Sequence, residues 1–562
     1  MANQSPLHFG IMLNGFSMQY WQRACFLNLV DSGLAHCRLL IINDQEEERK
    51  SFLQKLVFFI SHKPLYHLYL RYHCKTRSRT NVDCSDILSG IRQIKCKTIR
   101  KGQFSEYFDQ KDLEKIQTFR LDFILRFGFN IIRGDILNIP KYGVWSFHHG
   151  DEKTYRGGPT GFWEMYNNEK INGAILQRLT DIIDAGIVLK KGYFEVTAHS
   201  YPAHVDHLLM NSIHWPVSVC KDILSENAGY FSDKPSTSRV KINRIPGNGK
   251  VVLFLLQQAW NKIRFHFNDL FFEEQWNIGV IEQSIDDIIE SRSIKPFIHW
   301  MHLPKRYLFN ADPFILQDHN RSLIVYESFD YKTNKGIICK TCYLPGKEFS
   351  GTEVMMTAPY HLSYPSVFQK DGINYFIPEK CETGKVSLYR LESSSVKPVF
   401  IRDLLTGIKA VDTTLVEFEG MIWMFLTIQN DHSNLNLYAY YAENMTDEFK
   451  PHRNNPVKTD IGSARPAGNI FKVNNQFYRP SQDSSVRYGG SLKLNRITAL
   501  TPDMFAEEEV AHFQAVRNSP YRKGLHTINN SGNLTVIDGK RLCFIWPSFW
   551  RKLNKKIQSI LT

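Results

Sequence analysis

Five segments in the second half of the chain share one outline, and this repetition constrains the fold more than any other feature of the sequence. Each segment has a polar or proline-bearing lead, an apolar strand, a turn of Gly, Asp or Asn residues, and an aromatic strand. The leads recur at intervals of about 50 to 60 residues, with no helical spacing between the strands. This period predicts an all-β, five-bladed β-propeller over residues 291–562. The segments are NADPFILQDHNRSLIVYESF, LSYPSVFQKDGINYFIPE, VDTTLVEFEGMIWMFLT, ARPAGNIFKVNNQFYRPSQ and LHTINNSGNLTVIDGKRLCFIW.

The first 225 residues alternate strand and helix signals instead. Short apolar runs are separated by segments with helical spacing, such as the stripe of Trp21, Cys25 and Leu29. This alternation indicates a mostly parallel sheet covered by helices on both faces. We therefore predict a multidomain chain in which an α/β, Rossmann-like domain (1–225) precedes the propeller. The predicted strands are HFGIML (8–13), HCRLLIIND (36–44), LDFILRFGFNII (121–132), YGVWSF (142–147), GAILQRL (173–179) and GIVLKKGYFEV (186–196), and EEERKSFLQKLVFFISH (46–62) is a predicted helix.

Residues 226–290 separate the two patterns. The polar stretch SDKPSTSRVKINRIPGNGK contains Pro and Gly and predicts a linker. The aromatic and basic stretch that follows, VVLFLLQQAWNKIRFHFNDLFFEEQW, has helical spacing. The predicted helix either bridges the two domains or lies on a membrane surface, and the sequence is compatible with both interpretations.

Charge and cysteine content bear on partners and location. The formal net charge of +13 favours an anionic partner (nucleic acid, phosphorylated substrate or anionic membrane), although a basic surface that only maintains solubility fits equally well. The ten cysteines lack the spacing of a disulfide framework, which suits a reducing compartment. No signal-peptide pattern and no run of about 18 apolar residues occurs. We expect a cytoplasmic protein, peripheral to the inner face of the membrane if the helix binds lipid.

One short stretch, YGVWSFHHGDEKTYRGGPTGFWEMYN (142–167), concentrates reactive side chains after a buried strand. Ser146 and His148 lie on the same side of that strand because side chains alternate along it. Downstream, LTDIIDAGIVL places Asp184 in a loop before the next strand. In open α/β sheets, ligands bind at the carboxyl ends of strands. A hydroxyl, an imidazole and a carboxylate meeting there can hold a carbonyl oxygen and move a proton.

These motifs, SFHH, YRGGP and NGAILQRLTDIIDAGIVL, together with DFILRFGFNIIRGDILNIPKYGVW, resemble the catalytic core of the folate-dependent formyltransferases. The DAG of Asp184 to Gly186 is most similar to the branch that formylates nucleotide-linked amino sugars. Ser146 stands where the family has asparagine and Asn172 where it has threonine. The family's asparagine donates a hydrogen bond to the formyl oxygen, so Ser146 bears directly on efficiency.

The resemblance implies transfer of a formyl group from 10-formyltetrahydrofolate to the amine of an amino sugar, in surface polysaccharide biosynthesis and without a metal. It implies catalytic roles for Ser146, for His148 as a stabiliser of the oxyanion, and for Asp184 as a proton acceptor through water. It also implies folate-binding residues Arg126, Phe127, Gly128, Phe129, Asp181 and Ile183, and substrate-binding residues His149, Tyr155, Arg156 and Gly157. For Arg156, the residues alone leave a phosphate contact and a structural salt bridge both open.

The repeated half resembles the five-bladed domains of furanosidase-like glycoside hydrolases and, more closely, the propeller region of glucosamine inositolphosphorylceramide transferases. The matching pieces are ADPF, SYPSVF, DTTL, SARPAGN, YRPSQ and GLHT. We predict that the leads converge on a central face that binds a sugar, with Arg465, and also Arg479, suited to a phosphate or carboxylate. A hydrolase that uses carboxylates and a purely structural role remain alternatives. The predicted central residues are Asp312, Tyr364, Asp412, Arg465 and His526, with Glu379 a further candidate carboxylate.

Two other functions fit part of the sequence. A methionyl-tRNA formyltransferase would suit the basic charge, but its second domain should be a small barrel rather than blade repeats. A non-catalytic saccharide-binding protein would follow if Ser146 marks a lost activity. We expect folate and a nucleotide-linked or lipid-linked amino sugar as partners, and no nucleic acid; the sequence does not determine the oligomeric state.

Overall fold

A computed structural model describes residues 5–45, 63–101, 105–182, 185–318, 321–346, 349–392 and 397–561. The chain divides into two compact units, Met1–Ile263 and Arg264–Thr562, and is therefore multidomain. The division falls inside one helix, Asn248–Phe271, which we call the long helix. The domain limits predicted from the sequence, at 225 and 290, stay predictions.

The first unit contains a mixed sheet of seven strands in the order β7-β6-β5-β4-β1-β2-β3. Five strands, β1 to β5, are parallel, and β6 and β7 add an antiparallel pair at one edge. The mostly parallel sheet is thus found, and the predicted run 121–132 is two short strands rather than one. The predicted helix 46–62 lies outside the described residues. The strands are β1 Leu7–Leu13, β2 Ala35–Asn43, β3 Gln93–Cys96, β4 Phe123–Arg126, β5 Val144–His148, β6 Ile171–Arg178 and β7 Ile187–Glu195.

Stacked aromatic rings link three neighbouring strands of this sheet. Phe9 on β1 stacks on Phe123 on β4 at 5.2 Å, and Phe123 stacks on Trp145 on β5 at 3.8 Å. All three side chains are fully buried, so each stabilises the fold by roughly 1.5–3 kcal/mol. This packing fixes the strand ends that carry the predicted site. The helices of this unit, apart from the long helix, are Tyr20–Asp31, Pro64–Tyr72, Ser85–Leu88, Gln110–Gln117, Phe162–Tyr166, Tyr201–Met210 and Trp215–Leu224, with 3-10 turns at Asp135–Leu137 and Gly229–Ser232.

Part of the predicted linker belongs to the first unit. Strand Ile242–Asn243 pairs with Arg156–Gly157, in the glycine-rich stretch after β5. Gly157 has a φ of +81°, and a Cβ there would lie 2.3 Å from the carbonyl oxygen of Asn243. Only glycine permits this approach. The other small sheets of this unit are Ser17–Gln19 with Asn81–Asp83, and Ile99–Lys101 with Ser105–Tyr107 and Ile131–Arg133.

Among its described residues, the second unit contains five antiparallel sheets. The five sequence segments coincide with one hairpin each, as the alternating pattern and turn residues predict. Sheet 1 combines strands from both ends of the unit. The sheets are sheet 1, His299–Trp300, Glu273–Ile281, Leu534–Cys543 and Ile528–Ser531; sheet 2, Leu308–Asp318, Arg321–Asp330, Lys335–Tyr343 and Ser350–Met356; sheet 3, Ser363–Lys370, Ile373–Glu379, Lys385–Leu391 and Pro398–Thr406; sheet 4, Ala410–Phe418, Met421–Ile428, Asn436–Ala442, Lys450–Pro451 and Lys458–Thr459; and sheet 5, Phe471–Val473, Gln476–Asp483, Ser491–Leu500 and Phe505–Gln514.

Buried apolar clusters join each sheet to the next. Ile324 of sheet 2 shares a cluster with Val536 of sheet 1, and Leu494 of sheet 5 shares one with Ile537 of sheet 1. Three further clusters join sheets 2 and 3, sheets 3 and 4, and sheets 4 and 5. Because the fifth sheet packs on the first, the five sheets close into a ring. The helices here are Ile285–Ser291 and Trp546–Leu561, which we call the last helix, with a 3-10 turn at Cys381–Thr383.

The first-named strands of sheets 2, 3 and 4 share one irregularity in their pairing. The pairing slips near the start of the strand in sheets 2, 3 and 4, at Asp312, Tyr364 and Asp412. These residues have φ values of 49°, 37° and 52°, which lie in the left-handed region that residues other than glycine rarely adopt. Bulges of this kind re-aim side chains and concentrate next to functional sites.

In the described part of the chain, no helix is both long enough and apolar enough to cross a membrane.

Candidate functional site

The carboxyl end of β5 presents Ser146 beside an arginine from the neighbouring strand. β4 and β5 pair in parallel with Ile124 opposite Val144, which brings Arg126 level with Ser146. Arg126 donates from Nε and Nη2 to the Ser146 hydroxyl oxygen, at 3.2 and 2.9 Å. Its Nη1 donates to the carbonyl oxygen of Asn130 at 2.7 Å. Ser146 therefore accepts from a guanidinium whose orientation is fixed on both sides.

The guanidinium retains one donor. Ser146 is 2% exposed, whereas Arg126 is only partly buried, so Arg126 is the more accessible group. Burial lowers the pKa of Arg126 from its ordinary value, with Glu106 opposing the shift, and the group remains a cation near neutral pH. Among the described residues, the second N–H of Nη2 has no hydrogen-bond acceptor. A charged donor thus remains available at the strand end.

His148 is held in one orientation by the loop that follows it. Its Nε2 lies 3.0 Å from the carbonyl oxygen of Tyr155. A carbonyl only accepts, so Nε2 carries the hydrogen and Nδ1 keeps a lone pair when the ring is neutral. The loop approaches closely because residue 150 is glycine: a Cβ there would lie 2.7 Å from that carbonyl oxygen and 2.9 Å from Nε2. His148 can therefore accept a proton at Nδ1.

His149 points into the core instead. Its ring stacks on Phe147 at 5.7 Å and meets the edge of Trp21 at 5.3 Å, and its Nε2 lies 3.2 Å from the hydroxyl oxygen of Ser212. Burial lowers its pKa to about 3, so the ring is neutral. This packing accounts for His149 without a ligand and does not favour the predicted substrate-binding role.

The other predicted substrate residues are engaged within the loop. Tyr155 donates to Glu169 at 2.8 Å, and burial raises its pKa to about 12. Arg156 donates from Nη1 to the carbonyl oxygens of Ser238 and Val240, at 3.0 and 3.3 Å. These bonds, with the close approach at Gly157, attach residues 238–243 to the loop. For Arg156, these hydrogen bonds favour a structural role over a phosphate contact.

The predicted folate-binding segment is a tight bend after β4. Phe127 and Gly128 both donate from the backbone to the carbonyl oxygen of Met12, at 3.0 and 2.7 Å, and Phe129 donates to the Asn14 side chain at 2.8 Å. The bend therefore offers carbonyl oxygens rather than N–H groups. Asp181 accepts from the backbone of Gly134 at 2.9 Å. The predicted residues Ile183 and Asp184 lie outside the described residues.

The leads of the second unit form one hydrogen-bonded cluster at the bulges. The backbone of Tyr364 donates to Asp312, the hydroxyl of Thr527 donates to Asp312 at 2.8 Å, and the backbone of Asp312 donates to Asp538 at 3.2 Å. His526 is ion-paired with Asp538 and lies 3.7 Å from Asp312. The structure therefore brings together leads from the two ends of the second unit, as predicted.

Burial strongly perturbs the acids of this cluster. It raises the pKa of Asp312 to about 6, against the opposing charge of His526. It raises the pKa of Glu379 to about 8, with repulsion from Asp412 added and Arg465 opposing. Carboxyl groups that hold protons near neutrality can donate as well as accept hydrogen bonds.

Arg465 lies in this cluster but is already paired. Its Nε is 2.5 Å from Asp412, and its Nη1 donates to Asn434 at 2.9 Å. Its guanidinium lies over the ring of Tyr488 at 4.9 Å. Gln482 donates to the same Asp412 oxygen at 2.8 Å. An anionic ligand would therefore meet an Arg465–Asp412 pair rather than a lone cation.

Arg479 has no ligand-binding role in this structure, which corrects the sequence interpretation. It is 1% exposed and donates to both oxygens of Glu507, at 2.8 and 2.6 Å. It also donates to the carbonyl oxygens of Ser463 and Ala464. The guanidinium stabilises sheet 5 and leaves no face for a ligand.

The cluster also contains a set of groups with metal-ligand chemistry. Donor atoms of Asp312, His526 and Asp538 lie within 4.8 Å of one another. His526 is enclosed, however, since its ring stacks on Trp276 at 3.8 Å and its two nitrogens face the two carboxylates. Ion pairing explains this arrangement, and the absence of a metal stays a prediction.

Sequence reasoning missed several residues of these sites. It gave Arg126 only as a folate-binding residue and assigned it no catalytic role, although a charge in the apolar run ILRFGF was a usable signal. It missed Gln482, although this residue ends the quoted piece YRPSQ, and Asp538, although this residue lies in the fifth segment. It also missed Tyr488, which lies outside every quoted segment.

Both halves of the chain are similar to known transferases. Residues 301–533 match the family described as "Glucosamine inositolphosphorylceramide transferase 1, N-terminal". The Arabidopsis thaliana protein of that name is 30% identical over 222 residues, which cover 37% of this chain and 28% of that protein. The methionyl-tRNA formyltransferase of Clostridium beijerinckii is 31% identical over 104 residues of the N-terminal region, covering 18% of this chain and 34% of that enzyme.

Among solved structures, Zg3597, a family 117 glycoside hydrolase of Zobellia galactanivorans, matches 48% of this chain and 91% of its own, with 10% identity and a TM-score of 0.32. The chain spans 28% and 34% of the lengths of the two curated relatives. It therefore joins a segment similar to methionyl-tRNA formyltransferase to a segment similar to the N-terminal region of glucosamine inositolphosphorylceramide transferase 1.

Proposed function

We propose that the first unit transfers a formyl group from 10-formyltetrahydrofolate to the amine of an amino sugar carried on a nucleotide. The observation that carries this proposal is the grouping of Arg126, Ser146 and His148 at the ends of β4 and β5, in the N-terminal region of the chain, where the match to formyltransferases lies. We place the reaction in the cytoplasm, within surface polysaccharide biosynthesis. The ten free thiols suit that reducing compartment.

The residues present fit a formyl group. The remaining N–H of Arg126 is a charged donor in a partly buried site, which is the environment in which a developing oxyanion is best stabilised. The folate supplies an activated formyl carbon, and the carbonyl oxygens of the 127–129 bend supply acceptors for a ring that carries N–H groups. Asp181, at the neighbouring loop, adds a further acceptor.

Arg126 and Ser146 together replace the single asparagine that the formyltransferase family has at position 146. Ser146 accepts two hydrogen bonds and holds the guanidinium plane, and Arg126 donates to the formyl oxygen as negative charge grows there. A guanidinium donor is charge-assisted and stronger than an amide. The departure from the family at residue 146 is therefore compensated by the side chain opposite it.

His148 accepts the proton that the attacking amine loses as its nitrogen bonds to the formyl carbon. The bond from that carbon to N10 of the folate then breaks, N10 takes up a proton, and tetrahydrofolate leaves. The Nε2 of His148 is committed to the Tyr155 carbonyl, so Nδ1 is the basic atom. This role differs from the oxyanion stabilisation expected from the sequence, because the ring has no second N–H in its neutral form. Asp184, as a further proton acceptor through water, stays part of the proposal on the strength of the resemblance alone.

We further propose that the ring of five sheets is a five-bladed propeller whose centre binds the saccharide. Its support is the convergence of Asp312, Glu379 and Asp412 with the aromatic ring of Tyr488 and with Arg465. Carboxyl groups and a stacked ring suit sugar hydroxyls and ring faces. The partners on this proposal are folate and a nucleotide-linked or lipid-linked amino sugar.

The test is an acceptor screen with the full chain, 10-formyltetrahydrofolate and a panel of nucleotide-linked amino sugars, read by mass spectrometry. The expected result is a gain of one formyl group on at least one sugar, and its loss in the variants His148→Ala and Asp184→Asn. Methionyl-tRNA runs in parallel, since one relative is a methionyl-tRNA formyltransferase. Formylation of that tRNA and of no sugar would contradict the proposed acceptor.

A further inference from the structure

The second unit carries a continuous surface of aromatic rings where the long helix ends and the last helix begins. In the long helix, Phe267 contacts Phe271 at 4.7 Å, and Phe271 stacks on Phe549 of the last helix at 5.5 Å. Phe549 in turn contacts Trp546 and Trp550, at 6.0 and 5.6 Å. We call this set, with the adjoining Phe272 and Phe544, the aromatic surface.

Most of these rings face solvent. Trp546 is 60% exposed, Phe267 53% and Trp550 45%. Phe544 and Phe272 are 42% and 37% exposed. Single exposed apolar side chains are ordinary, but a contiguous patch of large rings marks a binding surface.

The long helix extends this apolar character along one face. Val252, Leu256, Trp260, Ile263 and Phe267 follow one another at spacings of four, four, three and four residues, which places them in one stripe. Leu256, Trp260 and Ile263 are each more than 60% exposed. The helix therefore presents to solvent the kind of face that a globular protein ordinarily buries.

The cations beside these apolar groups outnumber the carboxylates, which are Asp269, Glu273 and Glu274. The last helix contains four cations and no carboxylate. Lys552 and Lys556 pair with Glu273 and Asp269, while Lys555 is exposed. On the long helix, Lys262 and Arg264 are exposed and flank the stripe on opposite sides. The four cations of the last helix are Arg551, Lys552, Lys555 and Lys556.

We propose that the aromatic surface of the second unit binds an anionic lipid bilayer, so that the protein is peripheral to a membrane. Tryptophan and phenylalanine are suited to the level of the lipid headgroups, and flanking lysines and arginines are attracted to anionic lipid. A second copy of the chain is a poorer occupant, because two such faces would bring like charges together. The inference does not depend on the proposed formyl transfer, and it places the protein where a lipid-linked sugar would be found.

The test is co-sedimentation of the full chain with vesicles of phosphatidylcholine alone and with roughly 30% phosphatidylserine. We expect binding to the anionic vesicles, weakening as salt is raised. The paired variant Trp546→Ser with Trp550→Ser should bind at least tenfold less tightly, since two large rings no longer insert. The variant Arg264→Glu with Lys555→Glu, which changes two exposed cations of the second unit, should bind on the order of tenfold or more less tightly, at about 1 kcal/mol per lost cation.

Phe400→Ser is the matched control, because Phe400 is 55% exposed and lies outside the aromatic surface. It should bind as the wild type does, and thermal melts should show that every variant is folded. Equal binding by wild type and both paired variants would overturn the proposal. Concentration-dependent dimers that the Trp546 and Trp550 changes abolish, with no vesicle binding, would overturn it in favour of a second copy.

Discussion

Replacing Arg126 by methionine tests the mechanism at the point where this chain departs from its relatives. The change keeps an extended side chain but removes the two bonds to Ser146, at 3.2 and 2.9 Å, and the bond to Asn130 at 2.7 Å. It also removes the N–H that we assign to the formyl oxygen. Loss of one oxyanion donor lowers kcat by about 100-fold to 1,000-fold in enzymes that use one.

The effect should fall on kcat rather than on binding. The donor acts as charge develops on the oxygen, so KM for the sugar should change less than kcat. Arg126→Lys keeps the charge but not the two-pronged contact with Ser146, and should lose roughly tenfold. The lost hydrogen bonds should lower the free energy of unfolding by about 1–3 kcal/mol, partly offset because no guanidinium is desolvated.

The assay is steady-state formyl transfer at saturating folate, with kcat and KM measured for wild type and both variants, and with a thermal melt for each. Turnover by Arg126→Met within threefold of the wild type would refute the reasoning. So would an equal loss in Arg126→Met and Arg126→Lys accompanied by a collapse of the melting transition, since Arg126 would then be a structural residue.

Three further predictions concern single side chains. Ser146→Asn should stay within about tenfold of wild-type kcat, because its amide oxygen can accept from Arg126 and its amide N–H adds a donor; loss of all activity in steady-state kinetics would show that only a hydroxyl fits. Glu379→Gln should change the pH dependence of stability: the folded-state pKa of Glu379 is raised from 4.5 to about 8, so the folded protein binds this proton more tightly and the wild type loses stability as pH rises through that window. Thermal melts should show the variant gaining on the wild type from pH 5 to pH 8, and a constant difference would contradict the shift. Arg479→Met should lower the free energy of unfolding by about 3–5 kcal/mol in urea titrations, because it leaves Glu507 buried without its main cation; a change below about 1 kcal/mol would show that Lys458 alone compensates that charge.

Local features of the fold could be read from the sequence, and distant ones could not. The five hairpins were predictable because alternation and turn residues act within about 20 residues. The left-handed φ values at Asp312 and Asp412 were not, because a bulge depends on how two strands pair. The union of Glu273–Ile281 and Leu534–Cys543 in one sheet joins residues too far apart for any local signal.

The candidate site at the ends of β4 and β5 shows the same contrast between local features, which the sequence predicts, and features that depend on distant residues. The shared side of Ser146 and His148 follows from alternation along one strand. The pairing of Arg126 with Ser146 depends on the register between two parallel strands, which packing such as the Phe123–Trp145 stack determines. The ring packing of His149 and the burial of Arg479 likewise depend on elements distant in sequence, so both looked like candidate ligand-binding residues from their motifs alone.

The most direct measurement of the central claim follows the formyl carbon itself. The full chain is incubated with 10-formyltetrahydrofolate carrying ¹³C in the formyl group and with nucleotide-linked amino sugars, and the label is observed by NMR. We predict that the label moves from the folate to a formamide on the sugar, and that Arg126→Met slows this transfer by about 100-fold or more. Label that stays on the folate or appears only as free formate, with every sugar tried, would contradict the account.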